Sequence, residues 1–150
     1  MTTHYLEDLA VGQKFATGRL KVDAARIKSF AAEFDPQPFH LDEAAAAKSL
    51  LRGLAASGWH TAAMTMRLIV DGEFKPAGGV LGGGFDQLQW PRPVRPGDEL
   101  HAESEILDVR PSRSKPDIGI VNVRVTTFNQ LNEPVQIFTA HLIIPRRSKP

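Results

Sequence analysis

Apolar residues recur at helical spacing in the first half of the chain. Asp23 stands where an N-cap is expected, and Pro36 ends the predicted helix because a residue that precedes a proline is disfavoured in the α conformation. One apolar helix face is predicted from the i, i+3, i+4, i+7 pattern of Ile27, Phe30, Ala31 and Phe34.

Two more helices are predicted before residue 72. Asp42 precedes EAAAAKSL and caps a short second helix. A third helix is predicted from Ser57 to about Val70, and charge is nearly absent on all of its faces. We therefore expect other parts of the protein to enclose this third helix.

The second half of the chain has the period-two pattern of β-strands. Leu100–Ile106 and Val121–Thr126 alternate apolar and polar residues, which predicts strands with one wet face. Val135–Ile144 is apolar on both faces and is expected to be a central strand, while Gln87–Trp90 and Gln13–Leu20 are shorter candidates. Helices followed by strands predict an α+β fold, in which an antiparallel sheet wraps around the uncharged helix.

Composition restricts the possible classes of protein. The 150 residues predict one domain over 1–150, since no repeat or linker divides them. Cysteine is absent, which excludes disulfides and thiolate chemistry. A net charge of +1 argues against general nucleic-acid binding. Neither a secretion signal nor a membrane span is recognisable, so we expect a cytoplasmic protein without membrane contact.

The segment DPQPFHLD, residues 35–42, contains the strongest candidate chemistry. Asp35 and His40 are joined through Pro36 and Pro38, which fix two backbone angles and largely preset the separation of the two side chains. A carboxylate beside an imidazole can move protons near neutral pH. Asp-Pro and Pro-x-Pro segments are also common in ordinary loops, so the residues alone leave both interpretations open.

A second candidate lies at the start of the third helix. Ser57 as N-cap would leave the amides of Gly58 and Trp59 without partners inside the helix, and such amides can hold a developing oxyanion. Gly58 would let a substrate carbonyl approach the backbone. A plain helix start, with His60 and Trp59 used for packing, is the alternative. No spacing typical of a metal site occurs among the histidines.

Two loops are electropositive. Arg92 and Arg95 lie in one of them, and Arg113 and Lys115 lie in another with Arg110. Guanidinium and ammonium groups in such loops suit phosphate contacts. Solvated loop charge is an equally good interpretation of the sequence.

Taken together, these residues resemble the MaoC-like acyl dehydratase family, which includes the (R)-specific enoyl-CoA hydratases. The resemblance covers most of the chain. Its motifs are Asp35-x-x-x-x-His40 with Pro38, Ser57-Gly58, Pro93-Val-x-Pro-Gly-Asp98-x-Leu100 and Arg110-x-Ser-x-Ser-x-Pro-Asp117.

The resemblance implies a hot-dog fold, a homodimer or a higher assembly of dimers, and an active site near the subunit interface. It also implies reversible hydration of an enoyl thioester of CoA or acyl-carrier protein, without a cofactor or metal. Asp35 and His40 would hold the water and exchange protons, the Gly58 amide would polarise the thioester carbonyl, and Ser57 would assist. Arg92, Arg113 and Lys115 would contact the nucleotide part of the substrate.

One departure affects the expected substrate. Related hydratases carry Asp-x-Asn-Pro-x-His, whereas this chain has Gln37 at the Asn position and Pro36 before it. Gln37, Phe39 and Trp59 are expected to contact the substrate, and this change together with the bulk of the two aromatic residues is expected to reshape the acyl pocket. Two other functions remain possible at this stage: a hot-dog acyl-CoA thioesterase and a non-catalytic acyl-CoA-binding or dimerisation module.

Overall fold

The structure, a computed structural model, describes residues 2–147 and contains four α-helices and six strands. The helices are α1 (Ala24–Phe34), α2 (Pro38–Leu41), α3 (Glu43–Ala47) and α4 (Gly58–Asp71). The strands are β1 (Lys14–Ala16), β2 (Leu20–Lys21), β3 (Gly82–Gln89), β4 (Glu99–Pro111), β5 (Ile118–Phe128) and β6 (Pro134–Pro145). A short 3₁₀ turn, Leu6–Asp8, precedes them.

The strands form one antiparallel sheet in the order β1-β4-β5-β6-β3, with β2 also paired to β4. The three long strands β4, β5 and β6 pair along most of their length, and β4 and β5 are the two for which alternation predicted a strand. The predicted central strand, β6, lies between β5 and β3. At one edge, β3 presents backbone groups that no other strand of residues 2–147 pairs.

Helix α4 packs on the inner face of this sheet. Its Met64 and Leu68 lie in one core cluster with Ile27 and Leu100, and its Ile69 lies in a second cluster with Ile106. This arrangement confirms the α+β architecture and the hot-dog fold, in which the sheet curves around a central helix. Among residues 2–147, no helix is both long enough and apolar enough to cross a membrane.

The expectation that α4 is enclosed on every face is wrong. Trp59, Met66 and Val70 are 55%, 45% and 47% exposed. Trp59 and Met66 face the open edge strand, because they line one cavity together with Gly82, Gly84 and Phe85 of β3.

The ends of several elements also differ from the predictions. Phe34 is 65% exposed, because it lies in the last turn of α1, whereas Ile27 and Ala31 are fully buried. The strand predicted over Gln87–Trp90 is longer and begins at Gly82, and Gln87 forms a bulge with φ of 56°. Residues 13–20 contain all of β1 and the first residue of β2 rather than one strand.

Candidate active site

Asp35 and His40 are placed by the ends of two helices. Asp35 is the C-cap of α1, where its amide donates to the Ala31 carbonyl at 2.8 Å. Pro36 follows it, and Pro38 occupies the first position of α2, which a proline's fixed φ favours. The segment predicted as a stiff connection is therefore partly helical, and His40 lies inside α2.

The His40 ring is held at both nitrogens. The side chain is buried, with 6% exposed. Its Nδ1 lies 2.6 Å from the Ala55 carbonyl oxygen, and its Nε2 lies 3.3 Å from Oδ2 of Asp35. Because a carbonyl can only accept, Nδ1 carries a proton, and proton exchange is left to Nε2.

The Asp35 carboxylate is kept ionised by its neighbours. Burial raises the pKa of Asp35, but hydrogen bonds from Gln37 and Ser57 and the nearby charge of His40 outweigh this effect, so the pKa lies below its ordinary value. Gln37 Nε2 donates to Asp35 Oδ1 at 2.5 Å. Gln37, expected to contact substrate, therefore acts on the carboxylate in this structure.

The N-terminus of α4 presents the backbone amide of Gly58. The Ser57 Oγ accepts from the Trp59 amide at 3.3 Å, which confirms Ser57 as the N-cap. The expectation of two unpaired amides is therefore wrong for Trp59. Among residues 2–147 the Gly58 amide has no acceptor, and it carries the positive end of the helix dipole.

Gly58 is also required by packing. A Cβ placed on Gly58 would lie 2.5 to 2.7 Å from three carbons of the Trp90 indole. The side chain of any other residue would collide with this ring. Sequence analysis gave substrate approach as the reason for a glycine here, whereas the structure gives the covering tryptophan as a second reason.

One pocket of about 280 Å³ adjoins these groups, although Asp35 and Ser57 are not among the residues that line it. His40, Gly58 and Trp90 contribute to its wall, and so does Phe39, whose ring packs edge-on against His40 at 4.6 Å. Arg92 lies at the same pocket and pairs with Glu133, Nη1 to Oε2 at 3.3 Å. The pocket thus combines an imidazole, a free backbone amide and a cation beside apolar walls.

Three predicted site residues lie elsewhere in the single chain. Trp59 faces a separate apolar cavity between α4 and β3. Arg113 and Lys115 are exposed in the connection between β4 and β5. The pocket lies near the start of β4, whose 13 residues extend over about 40 Å, so these two basic residues are at its far end. Their nucleotide contact stays a prediction.

The structure adds two residues that sequence analysis did not assign to the site. Trp90 covers Gly58, and its Nε1 donates to Oε1 of Gln136 at 2.8 Å. Gln136 is fully buried. Gln136 could have been noticed in the sequence as the one amide side chain in the predicted strand Val135–Ile144, because a buried polar side chain requires a partner.

A third such residue is Arg95, which sequence analysis grouped with the electropositive loops. Its guanidinium donates to the carbonyls of Leu51, Gly53 and Leu54. These carbonyls directly precede Ala55, whose own carbonyl orients His40. Arg95 is therefore used inside the fold rather than held free for a phosphate.

The chain is similar to known proteins over most of its length. Residues 8–129 match the MaoC like domain. The uncharacterized protein YdeM of Bacillus subtilis (strain 168) is 36% identical over 139 residues, covering 93% of this chain and 96% of YdeM. The crystal structure of the MaoC-like dehydratase from Rhodospirillum rubrum has a TM-score of 0.94 and 55% identity, covering 97% of this chain and 99% of that one. R-hydratase PhaJ1 from Pseudomonas aeruginosa has a TM-score of 0.72 and 28% identity, covering 95% and 86%. The chain therefore belongs to the MaoC-like dehydratase family.

Proposed function

We propose that the protein catalyses the reversible hydration of trans-2-enoyl thioesters to (R)-3-hydroxyacyl thioesters. The observation that carries the proposal is the pairing of His40 Nε2 with Asp35 Oδ2 at 3.3 Å, with His40 lining the same pocket as Gly58. The similarity to R-hydratase PhaJ1 and to a MaoC-like dehydratase supports the reaction class.

The Asp35–His40 pair supplies the proton chemistry. Hydration adds hydroxide at C3 and a proton at C2, so one group takes a proton from water and one delivers a proton to carbon. The 3.3 Å separation leaves no room for a water between the two atoms, but a water beside the pair can hydrogen-bond to both.

The Gly58 amide supplies the electrophile. A thioester carbonyl placed against this amide gains charge as the enolate-like transition state forms, and a preorganised N–H stabilises that charge. The dipole of α4 acts in the same direction. The thioester itself acidifies C2, so the proposed reaction uses no cofactor.

The proposed substrates are thioesters of CoA or acyl-carrier protein, and the proposed working unit is a homodimer. The unpaired edge of β3 lies beside the exposed Met66, Val70, Leu81 and Phe85, a combination typical of a surface that pairs with another chain. A second copy can also bring Arg113 and Lys115 to the pocket. Light scattering after gel filtration is expected to give twice the chain mass, and a monomer would contradict the dimer.

A comparison of two substrates tests the proposed reaction. Crotonyl-CoA is expected to lose its enoyl absorbance and form a 3-hydroxyacyl product, while butyryl-CoA is expected to release no free thiol. Thiol release would identify a thioesterase, although the first acid on α4 is Asp71 at its far end, paired with Arg67 at 2.7 Å. Tight acyl-CoA binding without turnover on any enoyl-CoA would identify a binding module instead.

A further inference from the structure

Two cavities lie on either side of the N-terminal turn of α4. One is the catalytic pocket of about 280 Å³ that contains His40 and Gly58. The other, of about 340 Å³, is bounded by Trp59, Met66 and Phe85 and lies between α4 and the sheet. We call this second space the apolar cavity. The two cavities share no lining residue.

Two tryptophans stand between the cavities. Trp90 lines the catalytic pocket, and Trp59 lines the apolar cavity. Their rings meet edge to face, with centroids 5.4 Å apart and planes at 85°. This is a favourable geometry for two aromatic rings. One ring faces the catalytic pocket and the other faces the apolar cavity.

The Trp90 ring is fixed in place from two directions. On one side it rests on Gly58, close enough that no Cβ fits. At its nitrogen it donates to Gln136 at 2.8 Å, and Gln136 Nε2 in turn donates to Thr65 Oγ1 at 3.1 Å. Because an indole N–H can only donate, the Gln136 oxygen must face it. The Trp90 donor therefore fixes the orientation of the Gln136 amide.

The Thr65 hydroxyl extends this network into the core. It lies 2.7 Å from Thr127 Oγ1 and 2.9 Å from the Thr61 carbonyl, and all of these residues are buried. A buried network in which every member has a partner holds its geometry tightly. Trp90 therefore acts as a rigid wall, and Trp59 packs against that wall from outside.

We propose that the Trp59–Trp90 pair closes the acyl end of the catalytic pocket and makes the enzyme selective for short-chain acyl thioesters. This inference rests on the proposed function. An acyl chain that begins at the Gly58 amide and is longer than a few carbons meets the pair before it reaches the apolar cavity. Each ring lines a different cavity, so truncation of one leaves the other between the two spaces, and truncation of both joins them.

Hydration of crotonyl-CoA and trans-2-decenoyl-CoA by the purified full chain tests the proposal. Wild-type protein is expected to prefer crotonyl-CoA by at least about tenfold in kcat/KM, the scale of discrimination that a closed apolar pocket supplies. The double variant Trp59→Ala/Trp90→Ala is expected to reduce this preference by about tenfold or more, through a relative gain on the long substrate. Each single variant leaves one ring between the cavities and is the matched control, which is expected to keep the wild-type ratio.

Equal activity of wild type on both substrates, or an unchanged ratio in the double variant, would overturn the chain-length proposal and leave the hydratase assignment standing. If no enoyl-CoA is hydrated, the proposed function fails, and calorimetry with butyryl-CoA and decanoyl-CoA still tests the pair. The double variant is then expected to gain about tenfold in affinity for decanoyl-CoA relative to butyryl-CoA. An unaltered ratio of affinities, or no binding of either compound, would refute it.

Discussion

The contact between Gly58 and Trp90 yields a quantitative prediction for Gly58→Ala. The new Cβ would lie 2.5, 2.6 and 2.7 Å from three indole carbons, whereas apolar carbons normally lie about 3.5–4.0 Å apart. The ring must therefore move by about 1 Å. That shift disrupts its 2.8 Å hydrogen bond to Gln136.

The expected free-energy cost follows from these two effects. Overpacking costs about 1–3 kcal/mol, and a lost hydrogen bond costs about 1 kcal/mol. Alanine's better helix propensity recovers up to about 1 kcal/mol. We therefore expect Gly58→Ala to lower the free energy of unfolding by about 1–3 kcal/mol. A displacement of about 1 Å beside the reacting carbonyl is also expected to lower kcat about a hundredfold.

Urea unfolding of four variants checks this reasoning. Gly18→Ala is the matched control, since no atom lies within 4 Å of a Cβ placed there, and its stability is expected to stay within about 0.5 kcal/mol of wild type. In a Trp90→Ala background, Gly58→Ala meets no ring and is expected to cost far less than in wild type. Wild-type stability of Gly58→Ala, or equal costs in both backgrounds, would refute the argument.

Four more predictions follow from individual contacts. Gln37→Leu removes a donor that lowers the pKa of Asp35, so the acidic limb of the kcat/KM profile is expected to move to higher pH, and an unmoved limb would contradict this. In the wild type, the lowered pKa of Asp35 stabilises the folded protein at pH values above the ordinary carboxyl pKa. This stabilisation is lost as the pH falls through the lowered pKa, and unfolding measured at a series of acidic pH values detects the loss. Gln136→Leu leaves the Trp90 nitrogen without its acceptor, so it is expected to lower the free energy of unfolding in urea by about 1–3 kcal/mol. The same substitution at the exposed Gln89 is the control. Arg95→Lys loses the planar fork that binds three carbonyls and is expected to lower the Tm and raise KM, and an unchanged Tm would argue against that role.

Strong periodicity made the main elements predictable from sequence. The caps Asp23 and Ser57 mark the starts of α1 and α4, because each side chain accepts a backbone N–H of its own helix. Alternation located β4 and β5, because a sheet with one buried face requires that pattern. The glycine-rich start of β3 has no alternating apolar residues, so its pairing with β6 is visible only in three dimensions.

The candidate site was predictable where it depends on adjacent residues. Asp35 and His40 are five positions apart, and two prolines limit their separation, so their pairing follows from local geometry. Trp90 and Gln136 are 46 positions apart, and the sequence around neither residue indicates that their side chains form a hydrogen bond. For Arg95, positive charge in a Pro-rich loop suggested a phosphate contact, but three nearby carbonyls bind the guanidinium because they would otherwise lack donors.

The central claim is that Asp35 and His40 act as one proton-transfer unit beside the Gly58 amide. Steady-state hydration of crotonyl-CoA by wild type, Asp35→Asn and His40→Ala tests it most directly, with circular dichroism to confirm that each variant is folded. We expect wild type to form (R)-3-hydroxybutyryl-CoA, and each folded variant to lose at least about a hundredfold in kcat, the scale of a missing acid–base group. Full activity in either folded variant would contradict the account.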